Sequence, residues 1–263
     1  MNENNVRLAI DAGVARIILD RPEKLNAITP EMAQTLARLC AEVDRDPAVR
    51  AVVLRGTGPR AFSAGSDLNA LAGHPDPWTF RSRVEYAAVV RDIRKPVIAA
   101  LRGWVLGGGL EMALSADIRI AGRSAKLGAP EVKRGWIGGG GASQMLPRVV
   151  GVGQAMLMLL SGEAIDAERA LAIGLVEEVV EDDAVEARAD ALAATIASYS
   201  PIATQAVKAA VRASLSMSLE AGIRYENEVH SLCFAAADHR EGIQAFQEKR
   251  AADFGGRAPP SGA

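Results

Sequence analysis

Nine residues, Gly103 to Glu111 (Gly-Trp-Val-Leu-Gly-Gly-Gly-Leu-Glu), constrain this chain more than any other stretch. They follow an apolar, strand-like segment at 96–101 and lead into Met112-Ala113-Leu114, where a helix is predicted to start. Three consecutive glycines at a strand-to-helix turn let the backbone come very close to a ligand, because no Cβ stands in the way. The first amides of such a helix lack intrahelical partners and sit at the positive end of its dipole. An anion or a polarised carbonyl oxygen is their natural guest. Glu111, one short turn further in, presents a carboxylate to the same place.

The text on either side supplies strands and helices in alternation. A strand at 14–20 pairs with 6–10 through Asp11-Ala12-Gly13. Thr29 is an N-cap candidate followed by Pro30, and Met32, Leu36, Leu39 and Val43 keep helical spacing to about Arg45. Further strands are expected at 51–54, 96–100, 117–121 and 175–180, with an extended segment at 126–131. Helices are expected at 81–94, from Ala142, at 154–160 and from Asp166 to Ile173, and 71–79 reads as an irregular loop. From Ala184 the text is alanine-rich and helical, over 184–198, 202–214 and 219–249, the last broken near Ala237-Asp238. Such helices need a surface to cover, either the core or a neighbouring subunit. Strands each followed by a helix imply right-handed crossovers and an α/β fold with a core of about 180 residues. The division expected is 1–190 for the core and its site, 191–254 for the helical region, and a disordered tail at 255–263.

Composition narrows the function classes. Thirty basic and 32 acidic residues are scattered along the 263, for a net charge of −2, so no electrostatic footprint for nucleic acid or an anionic membrane is present. Cys40 and Cys233 are far apart and lack metal-ligand spacing, so they read as reduced core thiols, and no metal site is expected. The polar start, Met-Asn-Glu-Asn-Asn, has no secretory pattern, and no apolar run approaches membrane-spanning length, which points to a soluble, cytoplasmic protein.

The chemistry lies in two glycine-containing turns after strands, Ala64-Gly65-Ser66 and Gly107-Gly108-Gly109. Each can point one backbone N–H into a shared cleft, and two such donors make an oxyanion hole. Glu111 and Glu131 can flank the same cleft. Paired carboxyl groups divide general acid and general base duties when their surroundings set their pKa values apart. Taken one at a time, these features have structural readings as well. A triple glycine also serves tight helix–strand packing, a first-turn glutamate also serves the helix dipole, and Pro130-Glu131 also suits a solvated loop.

Their order along the chain decides between these readings. Arg21 to Ala27, Ala61 to Asp67, Gly103 to Glu111, Ala116 to Ala121, Ala129 to Glu131, Gly151 to Gly162, Ala172 to Val176 and Glu241 to Arg250 together resemble the crotonase family, also called the enoyl-CoA hydratase/isomerase family. The resemblance covers nearly the whole chain. It implies a spiral of ββα units with a C-terminal helical trimerisation region, assembled as a homotrimer or a dimer of trimers. It implies an acyl-CoA thioester as substrate, with coenzyme A present only as part of that substrate and no permanently bound cofactor. The oxyanion hole it implies is made by the N–H groups of Ser66 and Gly108. Glu111 would activate water, Glu131 would transfer a proton at Cα, and the Gly139 N–H would help orient the water. The CoA moiety would meet Lys24, Leu25, Arg60 and Ala64, with Phe246 and Lys249 contributed by the C-terminal helix, its own or a neighbour's.

Because both glutamates are present, the resemblance is strongest to a hydratase. A double-bond isomerase, needing one glutamate and no water, and a non-catalytic acyl-CoA-binding subunit are the alternatives. Gly138 stands where hydratases commonly have proline, Trp136 is unusually large beside the catalytic segment, and Arg102 replaces a common asparagine. Trp78, Trp104 and Trp136 are expected to pack in the core, with an acyl-pocket role as the alternative. His74 falls in the 71–79 loop as a candidate substrate contact, while His230 and His239 read as helix-surface or interface residues.

Overall fold

The computed structural model describes residues 2–73 and 75–255. Two sheets among the described residues organise the chain. The larger has seven strands in the order Asn2–Glu3, Val6–Asp11, Val14–Leu19, Ala51–Gly56, Val97–Leu101, Ile118–Gly122 and Glu178–Val180. Its first three strands pair antiparallel and the rest pair parallel. The smaller sheet has the order Ile165–Asp166, Lys126–Gly128, Trp104–Leu106 and Ala61–Ser63.

The two sheets alternate along the chain. Val97–Leu101 joins the large sheet, Trp104–Leu106 the small one, and the helix Gly108–Ser115 follows at once. This is one turn of a ββα spiral. Central strands such as Val97–Leu101 are buried along their whole length, which is why they read as unbroken apolar runs.

The helix Pro30–Arg45 forms where its caps predict. The Thr29 hydroxyl accepts from the Met32 N–H, and Met32, Leu36, Leu39 and Val43 are all buried. In the helix Val185–Ala197, Ala189, Ala193 and Ala197 pack with Val53, Ile98 and Ile120 of the large sheet. The alanines allow that close approach. The helices Pro201–Ala213, Leu219–Ala235 and Asp238–Glu248 come next, and they leave large apolar side chains exposed, among them Val207, Val211, Leu232 and Phe234. Pro201–Ala213 is anchored by Lys208 and Arg212, whose cationic groups both reach the Asp117 carboxylate, at 2.6 and 2.8 Å.

Several sequence expectations need correction. The helix expected over 81–94 is confined to Tyr86–Arg91, because the Glu85 side chain caps it by accepting from the N–H groups of Ala87 and Ala88. The 71–79 loop is flanked and entered by two short helices, Leu68–Ala72 and Pro77–Arg81, each capped by an aspartate, Asp67 and Asp76. The last strand is only Glu178–Val180. None of the three tryptophans is in the core: Trp78, Trp104 and Trp136 are 72%, 41% and 44% exposed. For Trp104 the reason is the period-two alternation of its strand, which turns Val105 inward and Trp104 out.

Cys40 is buried and unpaired, and burial pushes its thiol up to about 12, whereas Cys233 is only partly buried. No helix among the described residues is long and apolar enough to cross a membrane. His74 and residues 256–263, on which two of the expectations rest, lie outside the described residues.

Candidate active site

The site begins where the two glycine turns touch. Gly65 has φ of +86°, and a Cβ built on it would stand 2.8 Å from the Gly108 nitrogen and 2.9 Å from the Leu106 oxygen. A side chain there would force the turns apart, and the backbone conformation itself favours glycine. Behind Gly65, the Ser63 hydroxyl donates to the Asn26 carbonyl (2.8 Å) and accepts from the Gly65 N–H (3.1 Å). The buried Asn26 amide in turn donates to the carbonyls of Thr57 and Ala61. The 21–27 and 61–67 motifs are therefore one hydrogen-bonded unit. Ser66 and Gly108 both border a cavity of about 800 Å³, and their backbone N–H groups donate to no other described group. The Ser66 hydroxyl is hydrogen-bonded to the Tyr86 hydroxyl at 2.7 Å.

Glu111 lies in the first turn of the wholly buried helix Gly108–Ser115 and is 4% exposed. Its Oε1 accepts from the N–H groups of Gly140 (2.8 Å) and Ala142 (3.1 Å). The four-glycine run at 138–141 thus wraps the carboxylate. Burial pushes its pKa above the ordinary carboxylate value. The two amide bonds oppose that shift, and the nearby charges of Glu85 and Glu131 add to it.

Glu131 sits in the first turn of the short 3-10 helix Pro130–Arg134. Burial raises its pKa too, opposed by its own N–H and by Arg134. Its Oε2 is buried without a hydrogen-bond partner. Both carboxyl groups face the cavity, but two N–H donors favour the charged form of Glu111, while half of the Glu131 carboxylate is bare. Environments that differ in this way separate an acid from a base.

The sequence-predicted residues divide cleanly. Ser66, Gly108, Glu111, Glu131, Gly139, Lys24, Leu25 and Ala64 all line the one cavity. Arg60 does not; its guanidinium donates to the Pro22 carbonyl (2.8 Å) and braces the turn that carries Lys24. Phe246 and Lys249 do not border it within this chain either, and Phe246 is 85% exposed.

Sequence reasoning missed Phe80, Arg83, Glu85, Tyr86, Arg134 and Ile137, which also line the cavity. Glu85 before an apolar helical run was legible as a cap. Its closeness to Gly140 was not, because the two are brought together only by folding. Trp136 borders the cavity, whereas Trp78 and Trp104 do not. Among the described residues no group of three or more His, Cys, Asp or Glu side chains is placed to hold a metal ion.

Comparison with known proteins agrees with this geometry. The family described as enoyl-CoA hydratase/isomerase matches residues 9–257. The chain is similar to the (E)-benzylidenesuccinyl-CoA hydratase of Thauera aromatica, at 39% identity over 95% of this chain and 99% of that one. It is similar to the 2,3-dehydroadipyl-CoA hydratase of Escherichia coli (strain K12), at 38% identity over 93% and 96%. The crystal structure of an enoyl-CoA hydratase from Bacillus anthracis superposes with a TM-score of 0.90, at 34% identity over 97% of this chain and 100% of that one. The protein belongs to the enoyl-CoA hydratase/isomerase, or crotonase, family and has its fold.

Proposed function

We propose that the protein is an enoyl-CoA hydratase, adding water across the α,β double bond of an enoyl-CoA thioester. The observation that carries this reading is the pair of buried carboxyl groups, Glu111 and Glu131, lining one cavity that the free N–H groups of Ser66 and Gly108 also border. The hydratase names of the relatives support it.

The thioester oxygen accepts from Ser66 N–H and Gly108 N–H. Glu111, whose charged form its two amide donors favour, takes a proton from water as the water oxygen bonds to Cβ. The electrons of the double bond move onto the thioester, giving an enolate whose charge the two N–H groups stabilise by about 3 kcal/mol each. Glu131, in its carboxylic acid form, then gives its proton to Cα. Return of a proton from Glu111 to Glu131, directly or through solvent, resets the site. The Gly139 N–H helps hold the water.

Lys24, Leu25 and Ala64 hold the CoA portion, with Arg60 supporting their turn. In this reading the chain works as a homotrimer or a dimer of trimers, where Phe246 and Lys249 meet CoA bound at a neighbouring site. The apolar side chains exposed on the C-terminal helices support that assembly.

Hydration of crotonyl-CoA, followed as loss of conjugated-thioester absorbance, tests the proposal. Glu111→Gln and Glu131→Gln should each cut kcat by about 100- to 10,000-fold. Near-normal rates in both variants would sink the two-carboxylate mechanism. Conversion of a 3-enoyl-CoA to its 2-enoyl isomer, with no hydroxyacyl product, would favour the isomerase reading instead.

A further inference from the structure

The cavity carries more charge than hydration requires. Asp67 is spoken for, because its carboxylate pairs with Arg21 at 2.7 Å and caps the helix Leu68–Ala72. Glu85 is committed to the N–H groups of Ala87 and Ala88. Arg134 donates to the Pro130 carbonyl (3.4 Å) and lies beside Glu131, whose charged form it favours. Arg83 is different. Among the described residues it forms no ion pair and makes one hydrogen bond, from Nη1 to the Phe80 carbonyl at 3.0 Å.

Its position is nevertheless fixed from two sides. The guanidinium lies over the Phe80 ring, 4.0 Å from the centroid. On its other flank, Nη2 would be 2.8 Å from a Cβ at position 139, so Gly139 leaves the room that the guanidinium fills. Held between an aromatic face and a glycine backbone, Nη2 and Nε keep their donors free in a cavity also walled by Trp136 and Ile137. A planar guanidinium fork matches a carboxylate in bidentate fashion, and it sheds water more readily than an ammonium does.

We infer that the acyl end of the cavity takes an enoyl chain bearing a second carboxylate, and that Arg83 is the side chain that binds it. This rests on the proposed function, since it presumes an enoyl-CoA in the cavity. The thioester end is assigned to Ser66, Gly108 and the two glutamates, whereas the Arg83 guanidinium lies against the Gly139 backbone in a lining shared with Trp136 and Ile137. A neutral acyl chain pressed into that region would strip water from the guanidinium and return no partner. A carboxylated chain replaces that water with charge-assisted hydrogen bonds. The inference makes Arg83 a determinant of specificity, outside the proton-transfer steps.

The test uses pairs matched in carbon number: glutaconyl-CoA against 2-pentenoyl-CoA, and 2,3-dehydroadipyl-CoA against 2-hexenoyl-CoA. The reading is the ratio of kcat/KM, carboxylated over neutral. The wild-type ratio should favour the carboxylated member of at least one pair by about tenfold or more. Arg83→Met should lower that ratio about 10- to 100-fold, and Arg83→Lys should recover part of it. A wild-type ratio at or below one in both pairs overturns the inference, as does a ratio that Arg83→Met and Arg83→Lys leave where it was.

Calorimetric binding of adipyl-CoA and hexanoyl-CoA, which cannot be hydrated, separates this failure from failure of the hydratase reading. Preference for adipyl-CoA that disappears in Arg83→Met, without hydration of any enoyl-CoA, would keep Arg83 in this role and remove the hydratase assignment. No preference in binding or turnover removes the Arg83 assignment, whatever the reaction.

Discussion

Two walls of the cavity are built on opposite principles. One wall joins the turn after Ala61–Ser63 to the turn after Trp104–Leu106, and there backbone touches backbone: added methyl groups at Gly65 and Gly109 would collide with main-chain atoms, while one at Gly108 would meet the Tyr86 side chain. The other wall comes from residues 68–72, 77–86 and 130–140. It is made of two five-residue helices with no buried residue, and of side chains such as Phe80, Arg83 and Trp136 that are partly or well exposed. The first wall holds donors at fixed positions, as stabilising an enolate requires. The second can change composition without moving those donors. In the proposed reading, the oxyanion donors belong to the glycine wall, while the second wall carries Glu131 and Gly139 and, through side chains such as Phe80, Arg83 and Trp136, the choice of acyl group.

The contrast fails if the walls can be exchanged in their effects. The largest effect should come from Gly65→Ala, which drives a methyl group toward the Gly108 nitrogen and imposes a left-handed backbone on alanine. We expect kcat for hydration to fall by about 100-fold or more, with a lower melting temperature. Loss of affinity with kcat intact would show that the turn serves binding alone.

Phe80→Ala and Trp136→Ala should act more mildly and on another parameter. Each should raise KM by about three- to tenfold for the preferred acyl chain, since a partly exposed aromatic contributes about 1 kcal/mol of contact. Saturated rates should stay within about threefold of wild type. A collapse of kcat in either variant would mean that the second wall also sets the catalytic geometry.

The smallest effect expected is that of Glu85→Gln, which spans both walls. Glu85 raises the pKa of Glu111 through its charge. In the proposed mechanism Glu111 accepts the proton of water as a carboxylate, so activity should be lost as pH falls through that raised pKa. Removing the Glu85 charge lowers it, and the acid limb of the kcat/KM profile should move to lower pH. The glutamine oxygen can still cap the helix Tyr86–Arg91, so folding should be little changed. An acid limb that stays in place would put the titration on a group other than Glu111.

Local text was enough for most elements. Thr29-Pro30 fixed the start of its helix, Ala64-Gly65-Ser66 and Gly107-Gly108-Gly109 announced close backbone approach, and unbroken apolar runs marked the strands buried on both faces. These signals survive because steric and capping preferences act within a few residues. The three tryptophans are not core residues, and size and apolarity do not reveal it: Trp104 sits on the outward side of a three-residue strand, Trp78 in a five-residue helix with no buried residue, and Trp136 just after a short 3-10 helix. The 81–94 helix was overextended because periodicity ignores a carboxylate able to cap early, at Glu85.

The sequence by itself determined the fold family and singled out both glutamates and both glycine turns that border the cavity, because each is carried by a short motif with its own backbone geometry. Only the tertiary structure decided the rest. It put the Gly140 and Ala142 N–H groups on Glu111 and left Glu131 Oε2 bare, so that two identical side chains sit in different hydrogen-bonding surroundings. It also set Arg83 between Phe80 and Gly139. Contacts between residues some 30 to 60 positions apart follow from how the spiral turns stack, and no local pattern encodes that stacking.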